Sequence, residues 1–384
     1  MAEPPDRPLL PPATIGIIGG GQLGRMSALA ARAMGYRVVV LEPREPCACT
    51  GVVNEQIVAD YGDAAALARL FARSDAVTFE FENVPDAPLA EARGSVPVRP
   101  DPSVLAICRD RTRERAFLAE HGFPHAPYLL CGESAPLPGE LDSFRFPGFL
   151  KAAGGGYDGK GQVRVERRED WDAAWAGLGA PSAVLEEAIP FTGEYSVIVA
   201  RGADGETTTY PLCHNLHRDR ILEQTWCPAG LEVEEEALAD ALAVAIAEKL
   251  GLVGVLAVEL FRRGPGDWLV NELAPRPHNS GHFSLNGSDT SQFENHVRTV
   301  CGLPLGSTHG LGPAAMQNLL GEDLTAAGER LAPAVAAVPG AHLHLYDKGE
   351  ARPGRKMGHI NVLAEHDEER RERMAAVRRI LGRD

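Results

Sequence analysis

The chain has 384 residues, 44% of them hydrophobic and 24% charged, which excludes a collagenous, low-complexity or largely disordered protein. A formal net charge of −15 argues against wrapping nucleic acid, but not against small anionic substrates held by local basic clusters. At this length two or three domains are expected, no apolar run approaches membrane-span length, and the seven cysteines, none in a C-x-x-C pair, read as reduced and structural rather than metal-binding.

The N-terminus, MAEPPDRPLLPP, is proline-rich and lacks a basic-then-apolar signal. It is expected to be a disordered tail over residues 1–13 of a cytoplasmic protein. Residues 14–18, TIGII, read as a strand, followed by GGGQLGRM, a helix to Met34 and a second strand over 36–41 ending at Glu42. Gly19, Gly21 and Gly24 match G-x-G-x-x-G, with an acid about twenty residues on, as a dinucleotide site requires. That fingerprint alone would make an NAD oxidoreductase a fair reading. What the glycines establish is narrower: a turn offering backbone amides and a helix N-terminus to some anion, for which a sugar phosphate serves as well as a pyrophosphate.

Further βα alternation follows, with strands expected at 57–60 and 76–80 around a helix at 64–73. Glu80 and Glu82 of FENVP fall at a strand's C-terminal end, where doubly wound sheets bind ligands. The proline-rich residues 96–102 mark the end of a first domain, and 103–120 are expected to form one helix carrying Arg109, Arg111, Arg113 and Arg115.

At the centre of the chain lies KAAGGGYDGKGQ, residues 151–162, between an apolar strand at 146–150 and an alternating one at 162–166. Five glycines in eight residues, with a lysine at the root and another near the tip, suit a hairpin that closes over an anion; a plain surface hairpin needs no such glycine content. Gly154, Gly159 and Lys160 nearly make a P-loop, but Gly161 stands where magnesium-binding Ser or Thr belongs, and a strand rather than a helix follows.

Strands are then expected at 183–189 and 194–200, an amphipathic helix at 234–250, and a strand pair at 253–261 and 268–273. Alternation places Glu259 with Val255 and Ala257 on one face, and Glu272 with Val270 and Trp268 on one face of the partner strand. Two carboxylates in apolar runs on adjacent strands suggest a shared Mg²⁺, with pairing to an arginine such as Arg276 as the alternative. The stretch 274–287, APRPHNSGHFSLNG, is too polar for core, and no G-x-S-x-G elbow surrounds Ser280, so it reads as an anion-binding loop. A strand at 341–346 leads into a run with four basic residues over nine positions, and 365–383 read as a solvated helix. Of 38 Lys plus Arg, only positions 151, 160, 249, 348 and 356 are Lys; four of these lie in the glycine hairpin or the late basic run, where a compact ammonium would be needed.

Taken together, IGGGQLGRM, FENVP, GGYDGKGQ, CHNLHRD, NELAPRPHNSGH and YDKGEARPGRKMGH resemble the ATP-grasp ligases, and within them the 5-(carboxyamino)imidazole ribonucleotide synthases of purine biosynthesis. The resemblance spans roughly residues 14–363. It implies an α/β protein with an ATP-grasp fold: a Rossmann-like parallel-sheet domain over 14–108, an ATP-grasp domain over 109–308 with a lid subdomain at about 125–190, and a small C-terminal domain over 309–384. The implied reaction is ATP- and Mg²⁺-dependent joining of bicarbonate to the amine of 5-aminoimidazole ribonucleotide through carboxyphosphate, in a cytoplasmic homodimer without nucleic-acid or membrane partners. The alternatives are a formate-dependent glycinamide ribonucleotide transformylase and, from another class, the NAD oxidoreductase.

The resemblance also assigns roles. Arg111 and Lys151 would meet the ATP phosphates beneath a lid of Gly156, Tyr157, Asp158, Gly159, Lys160, Gly161 and Gln162. Glu186, Glu187, Ala188 and Ile189 would form a hinge whose backbone reads adenine, Glu194 would take the ribose hydroxyls, and His217 would lie by the phosphates. Glu259 and Glu272 would hold Mg²⁺, with Asn271 beside them. Gly21, Gln22, Leu23, Lys348 and Arg355 would bind the ribonucleotide phosphate, and Glu82 its ribose. Tyr157, Asp158, Arg276, His278, Asn279, Ser280 and Lys356 would surround the bicarbonate and the amine.

Overall fold

The structure, a computed structural model, describes residues 7–85, 89, 96–132, 136, 138–155 and 161–383. Strands β1 (Thr14–Ile18), β2 (Arg37–Leu41), β3 (Glu55–Ile57) and β4 (Ala76–Phe79) form a parallel sheet in the order β3-β2-β1-β4. Its central strands are apolar on both faces because the helices Gln22–Ala33 and Ala64–Ala72 cover them, as parallel sheets require. The expected tail is anchored near its end: Leu9 N–H donates to Cys301 O at 2.8 Å, and Tyr36 Oη donates to Leu9 O at 2.6 Å.

The helix expected over 103–120 is two helices, Pro102–Cys108 and Arg111–Glu120. Asp110 divides them, because its carboxylate accepts the amides of Thr112 (2.9 Å) and Arg113 (3.3 Å) and so starts a new helix. The break lets Arg111 N–H reach Ala153 O, 2.8 Å away at the base of the glycine hairpin.

Next, β5 (Tyr128–Cys131), β6 (Gly148–Ala152), β7 (Gln162–Val165) and β8 (Ala183–Glu187) make an antiparallel sheet ordered β5-β8-β6-β7. The glycine-rich stretch therefore joins two antiparallel strands and opens no helix. Gly156, Tyr157, Asp158, Gly159 and Lys160, the expected lid tip, lie outside the described residues.

The remaining strands share one large sheet: β9 (Gly193–Arg201), β10 (Thr207–Thr209), β11 (Cys213–Arg218), β12 (Ile221–Cys227), β13 (Gly254–Gly264), β14 (Asp267–Ala274), β15 (Ala314–Leu320), β16 (Ala341–Leu345) and β17 (Lys356–Leu363). Their order is β14-β13-β9-β11-β12-β15-β17-β16, with β10 beside β9. The helix Val233–Lys249 packs across β9, β13 and β14, and buries Ala239, Ala243, Ile246 and Ala247 with Val197, Leu256 and Val258. Because β12 pairs with β15, the sheet runs unbroken into the last quarter of the chain. The final charged segment is a docked helix rather than a solvated one: Asp367–Ile380 buries Arg370, Met374 and Val377.

Candidate active site

The alternation reading of β14 fails at one residue, and that failure builds the site. A bulge at Asn271 shifts the ladder, so that Glu259 opposes Glu272 while Leu260 opposes Val270. Trp268 and Val270 pack in the helix-side core with Val258 and Leu260, whereas Val255, Ala257 and Ala274 belong to the core of the other face. Glu272 therefore leaves the face of Val270 and joins that of Glu259. The Asn271 side chain turns the same way and donates from Nδ2 to Glu259 Oε2 at 3.2 Å.

The two acids have different partners, and neither is Arg276. Glu272 Oε2 lies 2.8 Å from Arg111 Nη2, and Glu259 Oε1 lies 3.3 Å from His278 Nε2. Burial alone would raise the Glu259 pKa, but His278, His217 and Asn271 hold it at about 2, so this carboxylate is ionised. Two hard oxygen donors in register, one firmly anionic and with an amide between them, fit Mg²⁺, which takes one or two carboxylates and completes its shell with water and phosphate.

Lys151 and Gln162 pair at the root of the glycine hairpin, and Gly161 O accepts from Ala152 N–H at 2.8 Å. Lys151 Nζ is 2.6 Å from Glu186 Oε2, and Arg115 Nε donates to Glu186 Oε1 at 2.7 Å. Burial pushes the Glu186 carboxyl up, yet the cations Lys151, Arg115 and Arg111 bring it down to about 2. The Glu186 side chain is thus an internal counter-ion, so that of Glu186 only the backbone is left to read adenine. The Glu187 and Ala188 amides are already bonded to the carbonyls of Pro127 and Pro147, both at 2.9 Å. Glu194 and His217 face each other on β9 and β11, with His217 Nδ1 at 3.1 Å from Glu194 Oε2. Burial lowers the His217 pKa and the Glu194 contact raises it; the contact prevails.

The stretch 274–287 enters the core, contrary to its polar appearance. Ser280, His282 and Phe283 are buried, while Arg276, His278 and Asn279 stay part-exposed. A line of hydrogen bonds explains how polar residues can be buried there. Thr225 Oγ1 donates to Asn215 Oδ1, Asn215 Nδ2 to Ser196 Oγ, and Ser196 Oγ to Ser280 Oγ, at 2.9, 2.9 and 2.7 Å. Having accepted from Ser196, Ser280 directs its single proton to His278 Nδ1, 2.9 Å away. The network thereby assigns the proton of neutral His278 to Nε2, which faces Glu259. Ser280 touches His278 rather than open space, so it orients that ring. Asn279 Nδ2 donates to Asn318 Oδ1 at 3.1 Å, and Arg276 Nη2 is 2.6 Å from Glu82 Oε1.

At the other end of the site lies a cavity of about 760 Å³, lined in part by Gly20, Gly21, Gln22, Lys348 and Arg355. The glycine turn does not offer all its amides to an outside anion, as expected from its sequence. Glu80 accepts from Gly21 and Gly24 N–H at 2.5 and 2.7 Å, and Glu42 accepts from Gly20 N–H at 2.9 Å and from Tyr61 Oη at 2.5 Å. The close approach explains the glycines: a Cβ on Gly21 would stand 2.6 Å from Glu80 Oε1, and one on Gly24 2.5 Å from Gly19 O. With these amides bonded to carboxylates, they are not offered to a dinucleotide pyrophosphate, which removes the ground the glycines gave for NAD. The helix N-terminus at Gln22 and Leu23 stays beside the cavity; the Leu23 side chain is buried, so only its backbone can serve a ligand. Lys348 Nζ reaches from the C-terminal region to Gln22 Oε1 at 2.9 Å and to Lys356 O at 3.1 Å.

Arg44 and Arg352 line the same cavity and were not singled out from the sequence, although Arg352 lies within the late basic run. Arg44 follows β2 with no motif around it, so only its proximity to the late run reveals it. Glu82 pairs with Arg276, whereas Glu80 and Glu42 line the cavity.

Comparison with known proteins accounts for nearly all of the chain. Residues 12–109 match the ribonucleotide synthetase preATP-grasp domain, 116–293 the ATP-grasp domain, and 314–373 the phosphoribosylaminoimidazole carboxylase C-terminal domain. The chain is 44% identical to N5-carboxyaminoimidazole ribonucleotide synthase of Brucella melitensis, over 92% of this chain and 96% of that one. It is 41% identical to that of Bacillus subtilis, over 94% of each. A solved N5-carboxyaminoimidazole ribonucleotide synthetase in complex with ADP superimposes with a TM-score of 0.92 at 41% identity, over 98% of this chain and 99% of that one. The Aspergillus clavatus synthase in complex with ADP and 5-aminoimidazole ribonucleotide superimposes with a TM-score of 0.87 at 27% identity, over 96% and 98%.

Proposed function

The chain belongs to the N5-carboxyaminoimidazole ribonucleotide synthase family of ATP-grasp ligases, and from that premise we propose that it joins bicarbonate to the exocyclic amine of 5-aminoimidazole ribonucleotide with cleavage of ATP to ADP and phosphate. The observation that carries the substrate half of this reading is the cavity at the glycine turn: its amides are closed by Glu80 and Glu42, its helix N-terminus is free to face one phosphate, and Lys348, Arg355, Arg44 and Arg352 supply positive charge.

Bicarbonate is too poor an electrophile for a weakly basic amine. Its oxygen first attacks the γ-phosphoryl group, giving carboxyphosphate and ADP, and carboxyphosphate then delivers carbon dioxide to the amine, releasing phosphate. Lys151 and Arg111 neutralise the phosphates, and Glu186 and Glu272 hold those cations in place by ion pairs. Glu259 and Glu272 would hold Mg²⁺, which offsets charge during phosphoryl transfer. His278, with its proton directed by Ser280 to Nε2, keeps Glu259 oriented. Arg276, anchored by Glu82, would face the bicarbonate together with Lys356. Tyr157 and Asp158 of the lid would close over both substrates and exclude water from carboxyphosphate. A cytoplasmic homodimer is proposed on the family resemblance, and light scattering tests its mass.

The test is coupled ADP detection in degassed buffer, with bicarbonate or formate and each ribonucleotide in turn. Release that requires Mg²⁺ and bicarbonate and is stimulated by 5-aminoimidazole ribonucleotide supports the proposal. Release with formate and glycinamide ribonucleotide, and none with the bicarbonate pair, overturns it in favour of the transformylase.

A further inference from the structure

The backbone on either side of Glu272 is held by side chains where a neighbouring strand would ordinarily stand. Strand β14 is the edge of the large sheet, and Glu272 pairs inward with Glu259. In an antiparallel ladder the groups flanking an inward-bonded residue point the other way, so Asn271 C=O and Leu273 N–H face outward. Arg115 Nη2 donates to Asn271 O at 2.5 Å, and Leu273 N–H donates to Glu114 Oε2 at 2.8 Å. Arg115 Nη1 and Glu114 Oε1 are themselves 3.1 Å apart. The pair thus offers one donor and one acceptor to the edge, as the backbone of a next strand would.

This arrangement is an unusual way to cover an edge. Both side chains are 1% exposed; burial raises the Glu114 carboxyl to about 7 against the pull of Arg115 and Arg111, and burying such a pair gains little stability over an apolar contact. What the charges add is reach. Arg111, Glu114 and Arg115 lie on one face of their helix at i, i+3 and i+4. From that face Arg111 meets the Glu272 carboxylate, Glu114 and Arg115 hold the backbone around it, and Arg115 Nε continues to Glu186, the counter-ion of Lys151. The bulge that turns Glu272 towards Glu259 also interrupts the ladder, and the pair bonds the groups at that interruption.

We propose that Glu114 and Arg115 are positioning residues: a buried ion pair that substitutes for a missing strand at the β14 bulge and so fixes Glu272 for metal binding. The proposal rests on the reading that Glu259 and Glu272 hold Mg²⁺, and is independent of which ribonucleotide is carboxylated.

Two variants of the full chain test it. Glu114→Gln keeps the shape and one acceptor but removes the charge. Arg115→Lys keeps the charge but cannot reach Asn271 O, Glu114 and Glu186 together. In metal-free protein, hydrogen exchange of the segment 268–274 is expected to quicken at least tenfold while the segment 254–258 of β13 is unchanged. For Glu114→Gln, which leaves the Arg115–Glu186–Lys151 contacts their partners, ADP affinity measured with Mg²⁺ and with EDTA gives a second readout: the gain from Mg²⁺ should shrink about tenfold, with affinity in EDTA within about twofold of the parent. A merely structural pair would weaken ADP equally in both conditions. Unchanged exchange over 268–274 and an unchanged Mg²⁺ gain in either folded variant overturn the proposal, and if one variant fails to fold the other decides. If the parent itself shows no Mg²⁺ gain, the metal reading fails, and the exchange result still decides whether the pair positions β14.

Discussion

Glu259 and Glu272 stand directly opposite each other on β13 and β14 only because Asn271 bulges between Glu272 and Val270. If the two jointly hold Mg²⁺, Glu272→Gln should lower ADP release at least a hundredfold in a protein that still folds, since an amide oxygen carries no charge for the metal. Circular dichroism establishes the fold and coupled ADP detection the rate. Normal turnover by a folded Glu272→Gln protein would place the metal elsewhere.

Lysine-to-arginine changes separate ammonium chemistry from generic charge. Lys151 is nearly enclosed and 2.6 Å from Glu186, and Lys348 bonds both Gln22 and the Lys356 carbonyl, so neither place suits a broad planar guanidinium. Arg at position 151, 348 or 356 should cost on the order of tenfold or more in kcat/KM. Lys249→Arg, at the exposed end of the helix Val233–Lys249, should cost nothing. Equal tolerance at all four positions would reduce the scarcity of lysine to a compositional habit.

Ser280→Ala removes the proton donor to His278 Nδ1 and leaves the Ser196 hydroxyl without its acceptor. A loss of about 1–3 kcal/mol is expected from the unmet buried hydroxyl. The diagnostic change is in the ring: with only the Ser280 backbone N–H, 3.3 Å away, left to donate to Nδ1, the preference of His278 for a proton on Nε2 should weaken, and with it the donation to Glu259. Nitrogen chemical shifts of the imidazole report this directly, and turnover should fall about tenfold. Imidazole nitrogen shifts that do not move in the variant would show that the Ser280 hydroxyl does not donate to Nδ1.

Three buried histidines and the part-buried His344 make folding sensitive to acid. Burial depresses His296 and His344 to about 4 and pushes His282 and His359 well down; the proximity of His342 adds to the effect for His344, and that of His344 to the effect for His282 and His359. Because the folded pKa lies below the unfolded value near 6.5, the unfolded chain binds more protons between the two. The stability from neutral burial is complete above about pH 6.5 and is lost as pH falls towards about 4. Urea unfolding at pH 8, 6 and 5 should show a falling free energy with proton uptake on unfolding. A free energy flat from pH 8 to 5 would mean that these rings are already charged in the folded protein.

Local chemistry carried much of the molecule into view. The βαβ order of the first hundred residues, the glycine hairpin between two strands and the acids at 259 and 272 follow from periodicity and turn residues, which depend on near neighbours in the chain. Periodicity gave out where one residue overrides it. Asp110 splits a helix by capping its second half, and the Asn271 bulge moves Glu272 to the opposite face of β14.

Residue type and chain order thus supply an inventory: which residues could bind phosphate, metal or nucleotide, and in which order they occur. Tertiary structure alone decided which of them are free to do so. Glu80 and Glu42 take amides of the glycine turn, Glu186 turns inward to Lys151 and Arg115, and Ser280 is buried behind His278. All but the Ser280–His278 contact join residues far apart in the chain, and Ser280 is itself tied to the distant Ser196; hydrogen-bond geometry over about three ångströms is set by packing, which no local pattern encodes. Arg44 reaches the cavity of Arg352 and Arg355 for the same reason: long-range folding, not spacing, brings the end of β2 to the late basic run.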